Sequence, residues 1–473
     1  MTQLSDLKSA QAAAQDPRRK WVLPVTILGS SMGFIDGSVV NVALPSIQTS
    51  LSGTLATLQW IVNGYMLTLA SLILLGGTIA DRYGRRRAFI AGLLIFAIAS
   101  AACGAAPTAG WLVVGRLLQG VGAALLVPAS LAIIGAAYPR SERGRAIGTW
   151  AAAAGVMTVL GPPLGGWLVD FIGWRSIFFI NPPIAAVTLV LAVRLQPDGR
   201  SPSRDRLDIL GSMLAVLALG LLSYGLIVLG EGATVTGLVT ILASIPTTLA
   251  FGMVEARKAS PMVPLALFRD RSFLGANIMT VLLYAALSAA LFFLPFLLMR
   301  VHGYTATQAG SAMLPFSLLI GLGSRWTGSL SDRMGPRPPL VWGALLAAAG
   351  YVLLATTGHI SDFWTGYLPG LTLLGAGMTI AIPPLTATVF SSSPEEKSGT
   401  ASGINNAAAR GGGLIAVAAI GLAFGGHDLA TISPGQLKTA YSLVLWSAAG
   451  LSLLSVVCGL MTIPPKRKDE DTE

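Results

Sequence analysis

Asp36 is the one acid placed well inside an apolar stretch of this chain, about fifteen residues along the first of them. A lone carboxylate in hydrocarbon is rare unless it is functional or paired, and desolvation disfavours its charged form, so a proton can bind and leave there when water reaches it. The alternative is a structural carboxylate bonded to Asn41 or to a neighbouring helix. Arg116 lies about six residues into the fourth apolar stretch, deep but within snorkelling reach. A cation beside a carboxylic acid favours release of the acid's proton, which is the switch a proton-driven machine needs. Its alternative is an anchor to backbone carbonyls. In a late stretch Asn406 and Arg410 share a helix face at a spacing of four residues, next to Asn405. Together with Asn41, Asn63, Tyr65, Gln119 and Tyr284 these are candidate contacts for a small-molecule substrate.

Residues of this kind need long helices to hold them. The 473 residues are 53% hydrophobic and 11% charged, far below the quarter charged that a water-facing surface takes. Apolar runs of roughly 20 residues recur, each enough to cross about 30 Å of hydrocarbon as a helix. Fourteen such spans are expected, so the predicted fold class is an all-α polytopic membrane protein. About 25 of the 31 Lys and Arg fall in alternate connections and the tails, an asymmetry that places both termini in the cytoplasm. It accounts for the net charge of +10 with anionic lipid as the neighbour and no nucleic-acid partner.

The chain also repeats itself. Gly77, Asp81, Arg82, Gly84 and Arg86 recur as Gly328, Asp332, Arg333, Gly335 and Arg337, each 251 residues later. Nearby offsets match Leu44-Pro45 with Leu294-Pro295 and Gly120, Gly122 and Pro128 with Gly375, Gly377 and Pro383. The expected organisation is six plus two plus six spans: a tail 1–20, a six-helix bundle 21–194, a linker 195–207, two additional helices 208–255, a linker 256–271, a second six-helix bundle 272–462 and a tail 463–473. The duplication puts Ala286 opposite Asp36 and Leu371 opposite Arg116, which confines proton handling to the first half.

The stretch Gly77 to Arg87 resembles the signature loop of the major facilitator superfamily, a transporter fold of two six-helix bundles. Arg116-Leu117-Leu118-Gln119-Gly120 resembles the fourth-helix motif of its proton-coupled members, and Gly161-Pro162-Pro163-Leu164-Gly165-Gly166 the fifth-helix antiporter motif. The segment Ile35 to Pro45 is similar to the first-helix motif of the fourteen-helix drug:proton antiporters, in the general style of methylenomycin-type exporters. The resemblance implies proton coupling through Asp36 and Arg116. It implies a conformational latch at Gly77, Asp81, Arg82, Gly84 and Arg86, with a degenerate copy at Asp332 and Arg333. Gly161, Pro162, Pro163, Gly165 and Gly166 are then a bend at the bundle interface, with tight packing alone as its alternative.

The expected function is proton-coupled export of amphipathic drugs, antibiotics or related small molecules across the cytoplasmic membrane by alternating access, as a monomer. The partners are substrate, protons and lipid. A facilitator, or an exporter of one metabolite, is the alternative, and a non-transporting receptor leaves the helix-five motif without a purpose. An enzyme is not expected: the three His fall in outer connections without metal-ligand spacing, no glycine-rich stretch matches a phosphate-binding loop, and no cofactor or metal site is visible. Exporters of the family it resembles that prefer cations often carry extra acids in helices ten or thirteen; this chain has none there apart from Glu395 and Glu396 at the cytoplasmic start, so the resemblance favours a neutral or weakly anionic substrate.

Overall fold

The computed structural model describes residues 17–195, 207–258, 261–394, 397–424 and 432–465. The linker residues 196–206 and the far ends of both tails lie outside them. Among the described residues there is no strand, as expected where backbone donors and acceptors must be satisfied within each segment. The first bundle comprises α1 (Val22–Leu51), α2 (Leu55–Tyr83), α3 (Arg85–Gly104), α4 (Ala109–Ala137), α5 (Arg140–Phe171), α6 (Ser176–Phe179) and α7 (Asn181–Ala192). An antiparallel pair follows, α8 (Ile209–Gly230) and α9 (Thr234–Arg257). The second bundle comprises α10 (Arg271–Phe296), α11 (Ala306–Ala312), α12 (Leu314–Met334), α13 (Arg337–Thr357), α14 (Phe363–Gly366), α15 (Leu368–Ser391), α16 (Ser398–Ala419) and α17 (Pro434–Thr462).

Local chemistry sets the helix starts. Thr54, Thr108, Asp208 and Asp270 each accept a hydrogen bond from the amide three residues on, and Thr305 and Ser433 form capping boxes with Gln308 and Gln436. Among the described residues, twelve helices are long and apolar enough to cross a membrane. Two of the fourteen expected spans fall instead on broken helices. The sixth divides at Ile180 just before Pro182 and Pro183, and the tenth divides at Met313 just before Pro315, where proline removes amide donors.

Within the first bundle α4 packs on α2 and α3, and α5 on α1; within the second, α13 packs on α15 and α17, and α10 on α16 and α17. Two seams join the bundles. Along one, α2 lies on α16 from Gln59, whose side-chain amide donates to the carbonyls of Val417 and Ala418, down to Leu74 against Gly403. Along the other, α5 meets α11 and α12. The pair α8–α9 attaches beside the first seam: α8 touches α2, α16 and the turn Ile420–Phe424, with Gly230 against Gly421. At its far end Lys258 forms an ion pair with the N-cap carboxylate of Asp208, and Glu255, buried beside it, accepts from the Val263 amide.

Candidate functional site

The first bundle buries a polar cluster between α1, α2 and α4. Asp36, midway along α1, is fully buried, and its carboxylate pairs with the Arg116 guanidinium. Gln119 bridges them: its Nε2 donates to Asp36 Oδ1 at 3.1 Å, and its Oε1 accepts from Arg116 Nη1 at 2.9 Å. Arg116 also donates through Nε to the Ile61 carbonyl at 2.9 Å and lies over the Tyr65 ring, 4.5 Å from its centroid. The Tyr65 hydroxyl donates to Gly33 O, and the Cys103 thiol donates to Gln119 Oε1. Both oxygens of Asp36 and the Nε and Nη1 of Arg116 therefore have partners, as a buried pair requires if attraction is to offset desolvation.

This placement decides several expectations. Arg116 does not snorkel; it is 1% exposed. Asp36 does not bond Asn41, which is half-buried on the same helix. Gln119 and Tyr65, read from sequence as substrate contacts, belong to the buried cluster instead. Cys103 was legible only as a packing residue, because it comes from α3, sixteen residues before Gln119. Asn63 is fully buried with no hydrogen bond to its amide, and so faces no open path. Asn405 donates to Thr280 Oγ1 at 2.7 Å and to Asn277 Oδ1, tying α16 to α10 inside the second bundle rather than to substrate.

Asn406, Arg410 and Tyr284 remain accessible: Asn406 is exposed, and Arg410 and Tyr284 are half-buried. Arg410 shares a face of α16 with Gly403, which packs on Leu74 of α2, so it lies on the side turned toward the first bundle. The positions matched to Asp36 and Arg116 by the repeat, Ala286 and Leu371, sit in the apolar core of the second bundle.

The helix-five motif is a contact surface. α5 runs through Pro162 and Pro163 as one continuous helix, and the glycines of the motif pack against neighbours on both sides. A Cβ at Gly161 would lie 1.9 Å from Ser38 Oγ, and one at Gly165 2.3 Å from Val39 Cγ2, within a turn of Asp36 on α1. On the other side a Cβ at Gly166 would lie 2.2 Å from Ala306 O, and one at Gly310 2.1 Å from Pro162 O. Only glycine allows backbones this close. Asp170, one turn further, accepts from the Ala306 and Thr307 amides at 3.1 and 2.7 Å and from the Thr307 hydroxyl, capping α11 across the seam. Sequence reading missed Asp170, whose only signal was its distance of one turn from Gly166. In the other half of α5, Cβ positions at Gly144, Gly148 and Gly155 meet nothing within 4 Å. Among the described residues the close backbone contacts of this seam gather at its Asp170 end, which they close.

At the Gly84 turn, the backbone takes φ 107°, which explains that glycine. Asp81 is exposed and faces Arg85 at 3.6 Å on its own side of the seam. Arg82 lies over the Tyr83 ring and Arg86 donates to Val193 O, tying the turn to the end of α7, while Gly77 faces Pro128. The side chains of Asp332 and Arg333 lie outside the described residues.

A family model described as the Major Facilitator Superfamily matches residues 26–417. The multidrug resistance protein Stp of Mycobacterium tuberculosis (strain CDC 1551 / Oshkosh) is 37% identical over 87% of this chain and 77% of its own. The methylenomycin A resistance protein of Bacillus subtilis (strain 168) is 33% identical over 90% of this chain and 93% of its own. Among solved structures, a peptide transporter POT in complex with sulfate matches with a TM-score of 0.71 at 16% identity, over 96% of this chain and 99% of that one, a likeness of fold alone.

Proposed function

The chain belongs to the Major Facilitator Superfamily, and from that premise we propose that it is a proton-coupled antiporter exporting amphipathic drugs or antibiotics by alternating access. It is a multi-pass membrane protein with relatives named for multidrug and methylenomycin A resistance. In this reading it has fourteen crossings in a six, two, six arrangement, counting the two broken helices. Both termini are cytoplasmic, and the monomer in the cytoplasmic membrane is the working unit.

The observation that carries the reading is the buried Asp36–Arg116–Gln119 cluster set against the glycines of α5. A proton on Asp36 cancels its charge and loosens its hold on Arg116, leaving the guanidinium with Ile61 O and Gln119 Oε1. A shift of α1 against α4 is transmitted through Ser38 and Val39 to Gly161 and Gly165, and through Gly166 to α11. The Asp170 cap then releases and the closed end of the seam opens. The exposed Asp81 exchanges Arg85 for the second bundle in the opposite state, as a latch.

Purified protein in proteoliposomes with an imposed pH gradient tests this. Wild-type protein should drive uphill substrate movement, and Asp36→Asn should abolish it while keeping substrate binding. Uphill, proton-dependent transport surviving in Asp36→Asn sinks the role of Asp36, and wild-type transport indifferent to every proton gradient makes the protein a facilitator.

A further inference from the structure

Arg410 stands on α16 twelve residues after Ser398, roughly 18 Å along the helix and far from either end. Its neighbours on the same face show where it points. Gly403 packs against Leu74 of α2, and Gly413 lies between Ser288 of α10 and Met66 of α2, so Arg410 projects into the space between the bundles. Gly412 and Gly413 meet Val281 and Ser288 of α10, three residues before and four after Tyr284, which sets the Tyr284 face of α10 beside this part of α16. Its side chain is half-buried, and Asn406, one turn away, is exposed.

Among the described residues no hydrogen bond, ion pair or ring contact engages the guanidinium. An arginine at this depth is costly without a partner, and it is too far from the interface to snorkel. The one described carboxylate at comparable depth, Asp36, is fully buried and held by Arg116 and Gln119. The remaining acids of the long helices whose side chains are described, Asp81, Glu142, Asp170 and Glu255, lie at helix ends. Among the described residues the inter-bundle space thus carries an uncompensated positive charge with five available donors, flanked by a phenol and an amide.

We propose that Arg410 binds the anionic group of the substrate, and that the transported class is amphipathic organic monoanions: carboxylates, sulfonates or ionised phenols. Asn406 and Tyr284 supply the adjoining polar contacts, and the apolar body of the ligand lies along the seam. The depth of the guanidinium rules out a lipid headgroup as its counterion. The inference rests on the export reading for the word substrate, but the binding site itself does not.

The test is equilibrium binding to purified protein of two dyes sharing one ring system, anionic fluorescein and cationic rhodamine 123, followed by polarisation. A charge-assisted pair predicts fluorescein tighter by at least ~10-fold. Arg410→Gln should erase that preference, Arg410→Glu should reverse it, and Arg410→Lys should keep most of it, which guards against a folding defect in the first two. Equal affinity for both dyes in the wild type, or fluorescein affinity unchanged in Arg410→Gln, overturns the assignment. Asp36→Asn should retain the preference for fluorescein. Proteoliposomes that bind fluorescein through Arg410 yet never move it would defeat the export reading and leave the anion site standing.

Discussion

The two bundles treat an arginine inside the membrane in opposite ways. In the first, Arg116 is closed off: a carboxylate, an amide oxygen, a backbone carbonyl and an aromatic face surround it. In the second, Arg410 is half-buried and open to whatever enters between the bundles. The repeat makes the difference sharper, because the second bundle fills the positions of Asp36 and Arg116 with Ala286 and Leu371 inside its apolar core. Duplication kept the scaffold and its glycine contacts, whereas the charges diverged. In the proposed reading, a charge satisfied within one bundle responds to protons and helix position, and one left unsatisfied between bundles responds to a ligand.

The largest expected effect follows from opening the closed site. Arg116→Met leaves Asp36 buried with only the Gln119 amide, and breaking a buried pair from one side costs about 3–5 kcal/mol. Thermal unfolding of the purified protein should show that loss. The double variant with Asp36→Asn should recover about half or more of it, since no unpaired charge then remains. Wild-type stability in Arg116→Met alone would mean that the pair is solvated and that the contrast with Arg410 is lost.

Gln119 comes next. Gln119→Leu leaves Asp36 and Arg116 each one hydrogen bond short, a cost of about 1–3 kcal/mol. Proton-driven efflux should fall about tenfold while fluorescein affinity holds, since the residue lies away from Arg410. A substrate contact would give the reverse, a weaker affinity with the maximal rate maintained.

These tests bear on what the sequence could convey. Asp36 and Arg116 were legible because a charge in an apolar run is conspicuous. Gln119 was not, because an amide in such a run reads alike whether it faces a cavity or a carboxylate; its three-residue spacing from Arg116 was the available signal. Asn405 misled for the same reason, its partners Asn277 and Thr280 lying some 125 residues away on α10. The prolines that divide the sixth and tenth expected spans were in plain view, but helix continuity depends on tertiary support, as the unbroken passage of α5 through Pro162 and Pro163 demonstrates. Asp170 had no signature of its own: its amide partners belong to α11, more than 130 residues on, and a helix end recruits whichever acid packing brings to it.

The smallest expected effect is the other half of the contrast. Arg410→Met removes a guanidinium that makes no hydrogen bond or ion pair among the described residues, so no folded-state contact is lost, and the desolvated charge disappears with it. The change in unfolding free energy should stay within about 0.5 kcal/mol of zero or lie on the stabilising side, as for substitutions that touch no buried network. The same substitution chemistry at Arg116 carries the largest penalty predicted for the chain, so unfolding the two variants side by side isolates the effect of pairing. A loss at Arg410 comparable to that at Arg116 would show that its charge is held internally after all, and it would then have no unsatisfied donors to offer an anion.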